Sequence, residues 1–112
     1  SFKPYVLLVP VGARVSFPNL DRVRHHVYSF SRAKKFELKL YGRDETHSVT
    51  FDQAGAVALG CNIHDAMSGF VKVVATPFAE KTGASGQAAI KGVPAGAAVV
   101  RVWHPRAQAR GN

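Results

Sequence analysis

Residues 60–74 read GCNIHDAMSGFVKVV. The stretch holds the chain's single cysteine and single methionine with a histidine midway between them, so that Cys61, His64 and Met67 fall at three-residue intervals. One cysteine cannot close an intramolecular disulfide, which leaves its thiol free, reactive, joined to another chain or metal-bound. A lone cysteine is most often a small buried apolar residue. Only its neighbours can give it another role. The residues that follow the motif, GFVKVV, are rich in valine and aromatic character, as a strand requires. The motif therefore reads as a loop between two strands, AVALGC before it and GFVKVVAT after it.

Working outward, the same texture recurs. YVLLVPVG, ARVSFP, HHVYSFS, KFELKLYG and HSVTFDQ are further short runs rich in Val, Phe, Leu and Tyr, with Gly, Pro, Asn or Asp at most junctions. FELKLYG and ARVSFP alternate with period two, which predicts half-buried strands with one wet face. No window carries a helical stripe, and FDQAGAVA has room for one turn at most. Seven short strands at near-regular spacing predict an antiparallel sandwich or barrel. After Thr76 the texture changes to Gly and Ala. Here a loop, a short strand around Ala88–Ile90, a Gly-Val-Pro-Ala-Gly turn and a strand from Ala97 to Trp103 are expected. Such a hairpin is marginal alone and must pack on the main body or on something else.

With 112 residues, 46% of them hydrophobic, the chain suits one compact domain with a short appendage. No run approaches the roughly 18 consecutive apolar residues of a membrane span. The opening, SFKPYVLLVP, lacks a signal-peptide pattern, as expected of a mature or trimmed chain. Fifteen Lys and Arg against seven Asp and Glu give a net charge of +8. That balance attracts acidic partners, anionic membranes or nucleic acid. Six of the cations, Arg22, Arg24, Arg32, Lys34, Lys35 and Lys39, form a basic segment that is either a solvated face or a docking surface. Neither a stacking-aromatic motif nor a helix-turn-helix pattern supports nucleic acid.

Thiolate and thioether together with imidazole select copper among biological metals, and a trigonal His₂Cys set with a weak axial Met describes a blue-copper electron-transfer site. CNIHDAM supplies one histidine, so a second must arrive from elsewhere. SFPNLDRVRHHVYSF offers His25 and His26 where a loop runs into a strand. Successive strand residues face opposite sides, so one of the two can point at an ion. The residues alone leave open which, or whether both are surface imidazoles. His47 and His104 suit surface or hydrogen-bonded roles, and Trp103 suits packing of the last strand.

Two blocks in this order resemble the cupredoxins, the blue-copper family of plastocyanin, pseudoazurin and amicyanin. VSFPNLDRVRHHV is similar to the family's run leading to the first ligand, and CNIHDAMSGFVKVV to its short Cys-x-x-His-x-x-Met loop and following strand. The resemblance implies an all-β, antiparallel Greek-key β-sandwich over residues 1–76. Residues 77–112 then form a hairpin extension, packed on that domain or part of an incomplete second β-domain. A weaker likeness links this tail to the last hairpin of carboxypeptidase regulatory-like sandwiches. The family pattern also implies one copper ion in a type 1 site, with Cys61 as thiolate ligand, His64 as exposed ligand, Met67 as axial ligand and His25 as first ligand. His26 stands where the family has an Asn that ties the ligand loops together; it and Asn62 are implied as neighbours of the ligands, with His26 the alternative ligand. Arg24 replaces a common Pro, and Asp65 puts a carboxylate beside the exposed ligand.

The function so implied is single-electron transfer between redox proteins in the periplasm or outside the cell, with no substrate transformed. The partner is expected to be a redox protein with acidic character, such as a c-type cytochrome or a dehydrogenase. A copper chaperone or storage domain would use the same ligands to exchange metal. A catalytic reading would make Cys61 a nucleophile with His64 or His25 as base, and only Asp65 offers itself to orient that base.

Overall fold

The computed structural model describes residues 5–18, 25–41, 45–61 and 67–106. Among these residues seven strands form, each over one of the runs expected to form it: β1 Val6–Pro10, β2 Ala13–Pro18, β3 His25–Ser31, β4 Lys34–Tyr41, β5 Thr46–Phe51, β6 Gly55–Cys61 and β7 Met67–Val74. They build two sheets, a five-stranded one in the order β1-β7-β6-β3-β4 and a two-stranded one of β2 and β5. The architecture is a β-sandwich. One pairing departs from the antiparallel expectation: β1 lies parallel to β7, with Val6 opposite Phe70 and Val9 opposite Val73. Strand periodicity says which face is buried but not which neighbour pairs, so this direction could not be read from the runs.

Alternation explains the core. Phe17 of β2 and Val49 and Phe51 of β5 turn inward from the small sheet. They meet Val9, Val27, Val57, Leu59, Val71 and Val73 from the large one. Phe36 of β4 sits between two of the small sheet's rings, 6.0 Å from Phe17 and edge-on to Phe51 at 6.2 Å. Such offset and edge contacts are the favoured aromatic geometry. Gly12, at a φ of +92°, makes the turn from one sheet to the other, a conformation open to glycine at little steric cost. The turn is tied down by two bonds, Val11 N–H donating to Val74 C=O at 2.9 Å and Gly12 N–H to Phe51 C=O at 2.7 Å.

The buried Ser29 needs partners, because an unbonded hydroxyl in a core is costly. Its hydroxyl donates to Lys34 C=O at 2.8 Å and accepts from Ser31 N–H at 3.1 Å, closing the β3–β4 turn. Ser31 Oγ in turn accepts from Ala58 N–H at 2.9 Å, so a side chain continues the β3–β6 connection where the backbone ladder stops.

The C-terminal hairpin expected at Ala88–Ile90 and Ala97–Trp103 is not formed: residues 75–106 contain no strand. Gly and Ala give this segment little apolar surface to bury against itself, and an isolated two-stranded ribbon is marginal. Val99, Val100 and Val102 are accordingly 79–84% exposed. The extension is nonetheless anchored on the large sheet. Trp103 packs edge-on against Phe70 at 5.8 Å, with Lys72 Nζ 5.2 Å from the indole centroid. Loss of hydration on burial lowers the Lys72 ammonium pKa below its usual value. Lys81 Nζ donates to Val6 C=O at 2.5 Å.

Candidate metal centre

His25 opens β3, Cys61 closes β6 and Met67 opens β7. These strands are neighbours in the order β7-β6-β3, and each adjacent pair is antiparallel. The backbone of all three residues therefore lies at one end of the sandwich. The register is close: Val27 pairs with Cys61, and Gly60 with Met67. Below them the buried side chains of Val27, Leu59 and Val71 form an apolar floor. Both flanking ladders are irregular at this end. Between His25 and Val27, two residues on β3, the partner β4 advances three, from Tyr41 to Leu38. Between Leu59 and Gly60, β7 supplies one extra residue. Bulges of this kind bend a strand and re-aim its residues at a rim.

Asn62 and His64 fall within residues 62–66, outside the described residues. Among the described residues no three His, Cys, Asp or Glu side chains group as metal ligands. His26 is described, and it lies on the face turned away from the core. Its Nε2 is 2.8 Å from Glu37 Oε2 of β4, at ion-pair distance but without the alignment of a hydrogen bond. Its ring stands edge-on to Tyr28 at 5.9 Å. His47 Nε2 is 3.9 Å from Glu45 Oε2, and His104 Nδ1 accepts from Arg106 N–H at 3.0 Å. Both have the partners expected of histidines outside a metal site.

Tyr28 is the residue that sequence reasoning missed. It pairs with Gly60, and its ring lies on that glycine. A Cβ at position 60 would stand 2.5 Å from Tyr28 Cζ and 2.6 Å from its Oη. The signal available in the sequence was a glycine directly before the cysteine, inside a strand, where glycine often marks a close approach. Gly60→Ala is expected to push the ring aside and cost about 1–3 kcal/mol. In a Tyr28→Ala background the same change should cost less than about 0.5 kcal/mol, a coupling that urea denaturation of the four proteins would measure. Equal costs in both backgrounds would refute the packing.

The sandwich, with the Cys-x-x-His-x-x-Met motif running from the last residue of β6 to the first of β7 and a histidine opening the adjacent β3, is cupredoxin-like. Solved structures agree. The purple cupredoxin of Nitrosopumilus maritimus matches over 63% of this chain and 79% of its own, with 27% identity and a TM-score of 0.57. An amicyanin variant in its reduced form matches over 65% of this chain and 72% of its own, with 28% identity and a TM-score of 0.57. The copper-containing nitrite reductase of Thermus scotoductus shares 29% identity over 64% of this chain with a TM-score of 0.59, but the chain spans only 20% of that enzyme's length. No family model and no curated protein matches the chain. No helix among the described residues is long and apolar enough to cross a membrane.

Proposed function

We propose that the chain is a type 1 (blue) copper protein that carries single electrons between redox proteins, with one copper ion held by His25, Cys61, His64 and Met67. The observation that carries this reading is the convergence of residues 25, 61 and 67 at one end of three adjacent strands. His64 is one of the five residues between two of them in the sequence. Thiolate, imidazole and thioether in that number are the donor set copper takes in blue sites, so the residues fit the ion. Among similar structures, amicyanin occurs as a Cu(I) form and in oxidised form.

Copper bound there would supply a one-electron couple. The chain's own part is to hold the geometry and tune it. Cys61 must be deprotonated to ligate, and the histidines neutral. Val27, Leu59 and Val71, buried in the core beside this strand end, would keep water from the inner side of a bound ion. Val27, the core-facing partner of Cys61 in the ladder, shares strand parity with His25. His26, with the opposite parity, is engaged with Glu37 on the far face. Both facts favour His25 over His26 as the ligand. His26 then steadies the strand that presents it.

The partner is a redox protein with acidic character, such as a c-type cytochrome or a dehydrogenase, and the setting periplasmic or secreted. The chain transforms no substrate in this reading. Titration with Cu(II), followed by visible and EPR spectra, tests it. One equivalent is expected to give an intense thiolate-to-copper band. Stoichiometric Cu(I) binding without that band would instead support copper delivery or storage on the same ligands. Binding of neither ion would defeat both.

A further inference from the structure

The outer face of β3 carries a row of aromatic rings. His26, Tyr28 and Phe30 share that face, with ring centroids 5.9 and 5.2 Å apart along the row. The row starts beside the strand end that carries Cys61. Tyr28 covers Gly60, the residue bonded to Cys61. It finishes at Phe30, which is 75% exposed and the most exposed aromatic side chain among the described residues. Lys35 lies directly opposite Phe30 on β4, and Arg32 stands in the turn between the strands. Neither cation has a carboxylate partner among the described residues. The acids nearby are already engaged, Asp52 with Lys34 at 3.8 Å and Glu37 with His26.

We propose that this face is a docking surface for a one-electron redox protein with an acidic patch, seated on Phe30 and held by Arg32 and Lys35. The Phe30–Tyr28–Gly60 stack links it to Cys61. An exposed aromatic anchor flanked by cations has the composition of an interface centre. The charge sign selects the partner: opposite charge steers encounter and like charge repels it. The site lies on the face of the large sheet turned away from the core and is distinct from the strand end that carries residues 25, 61 and 67. With copper held by the residues proposed above, one electron would cross per encounter, lost by one protein and gained by the other. No bond is made and no proton moves. Only the choice of a redox partner rests on the copper reading; the docking face does not.

The test uses ¹⁵N-labelled protein, copper-free and copper-loaded, titrated with a plant-type ferredoxin as acidic one-electron probe. Amide perturbations are expected to cluster on residues 28–37. Phe30→Ala and Lys35→Glu should each weaken association about tenfold, and raising the salt should weaken it similarly. In the loaded protein, Tyr28→Leu should slow electron transfer measured at saturating partner at least about tenfold while leaving the visible spectrum unchanged. Perturbations confined to the loop end, or no saturable binding, would overturn the docking face. An unchanged rate in Tyr28→Leu would overturn the link. A protein that docks at residues 28–37 but shows no blue band would retire the copper reading alone.

Discussion

Cys61→Ser is expected to abolish the intense visible band of the copper-loaded protein, because that band arises from charge transfer out of a thiolate and an alcohol oxygen cannot supply it. The fold should survive, since the substitution removes one polarizable atom at a strand end and leaves the ladder to Val27 and the floor of Val71 and Leu59 in place. The histidine variants sharpen the result. His25→Ala should also lose the band, whereas His26→Ala should keep it and lower copper affinity by no more than about 10–100-fold, the range for residues that support a ligand. Reversal of those two outcomes would move the ligand one residue along β3. A band that persists in Cys61→Ser would leave the cysteine as packing.

Phe51→Ala should be the most damaging change to the fold. The side chain is fully buried and stands edge-on to Phe36 at 6.2 Å. Deleting a buried phenylalanine costs about 3–5 kcal/mol, against a total stability of roughly 5–15 kcal/mol for a domain. Among the described residues the small sheet has two strands, which leaves few neighbouring side chains to move into the space. Urea denaturation of the copper-free protein should show the midpoint collapse, and a loss below about 1 kcal/mol would contradict this account of the core. Bound copper should restore part of the loss, because a ligand that binds only the native state stabilises it.

The strands were legible because alternation in runs such as FELKLYG reports directly which side chains are buried: Phe36 and Leu38 turn toward the core and Glu37 toward water. The candidate site was legible because rare residue types at fixed spacing survive in one dimension. Cys61, His64 and Met67 sit within seven residues of one another. What could not be read were facts of pairing. Nothing in VLLVP says that β1 joins β7 in parallel. Nothing near Tyr28 says that its ring will lie on Gly60, thirty-two positions away. The hairpin expected in the extension failed for a related reason: Val99 and Val100 have the right propensity for a strand, but propensity expresses itself only where a partner supplies the other half of the ladder.

The contact between Lys81 and β1 carries a consequence for how the molecule behaves in a crowd of its own kind. Alternate residues of a strand turn their N–H and C=O groups toward opposite edges. Tyr5 C=O accepts from Phe70 N–H at 2.8 Å, so the groups of Val6, Leu8 and Pro10 face the open side of the sheet. Exposed rows of this sort are templates for a foreign strand. Here the first acceptor in the row is already taken by an ammonium group, and the last residue, a proline, has no hydrogen to donate. An incoming chain would find at β1 a broken ladder with a positive charge at one end, a poorer template than a continuous row. The glycine-rich tail, poor as a strand, thus serves as a bumper.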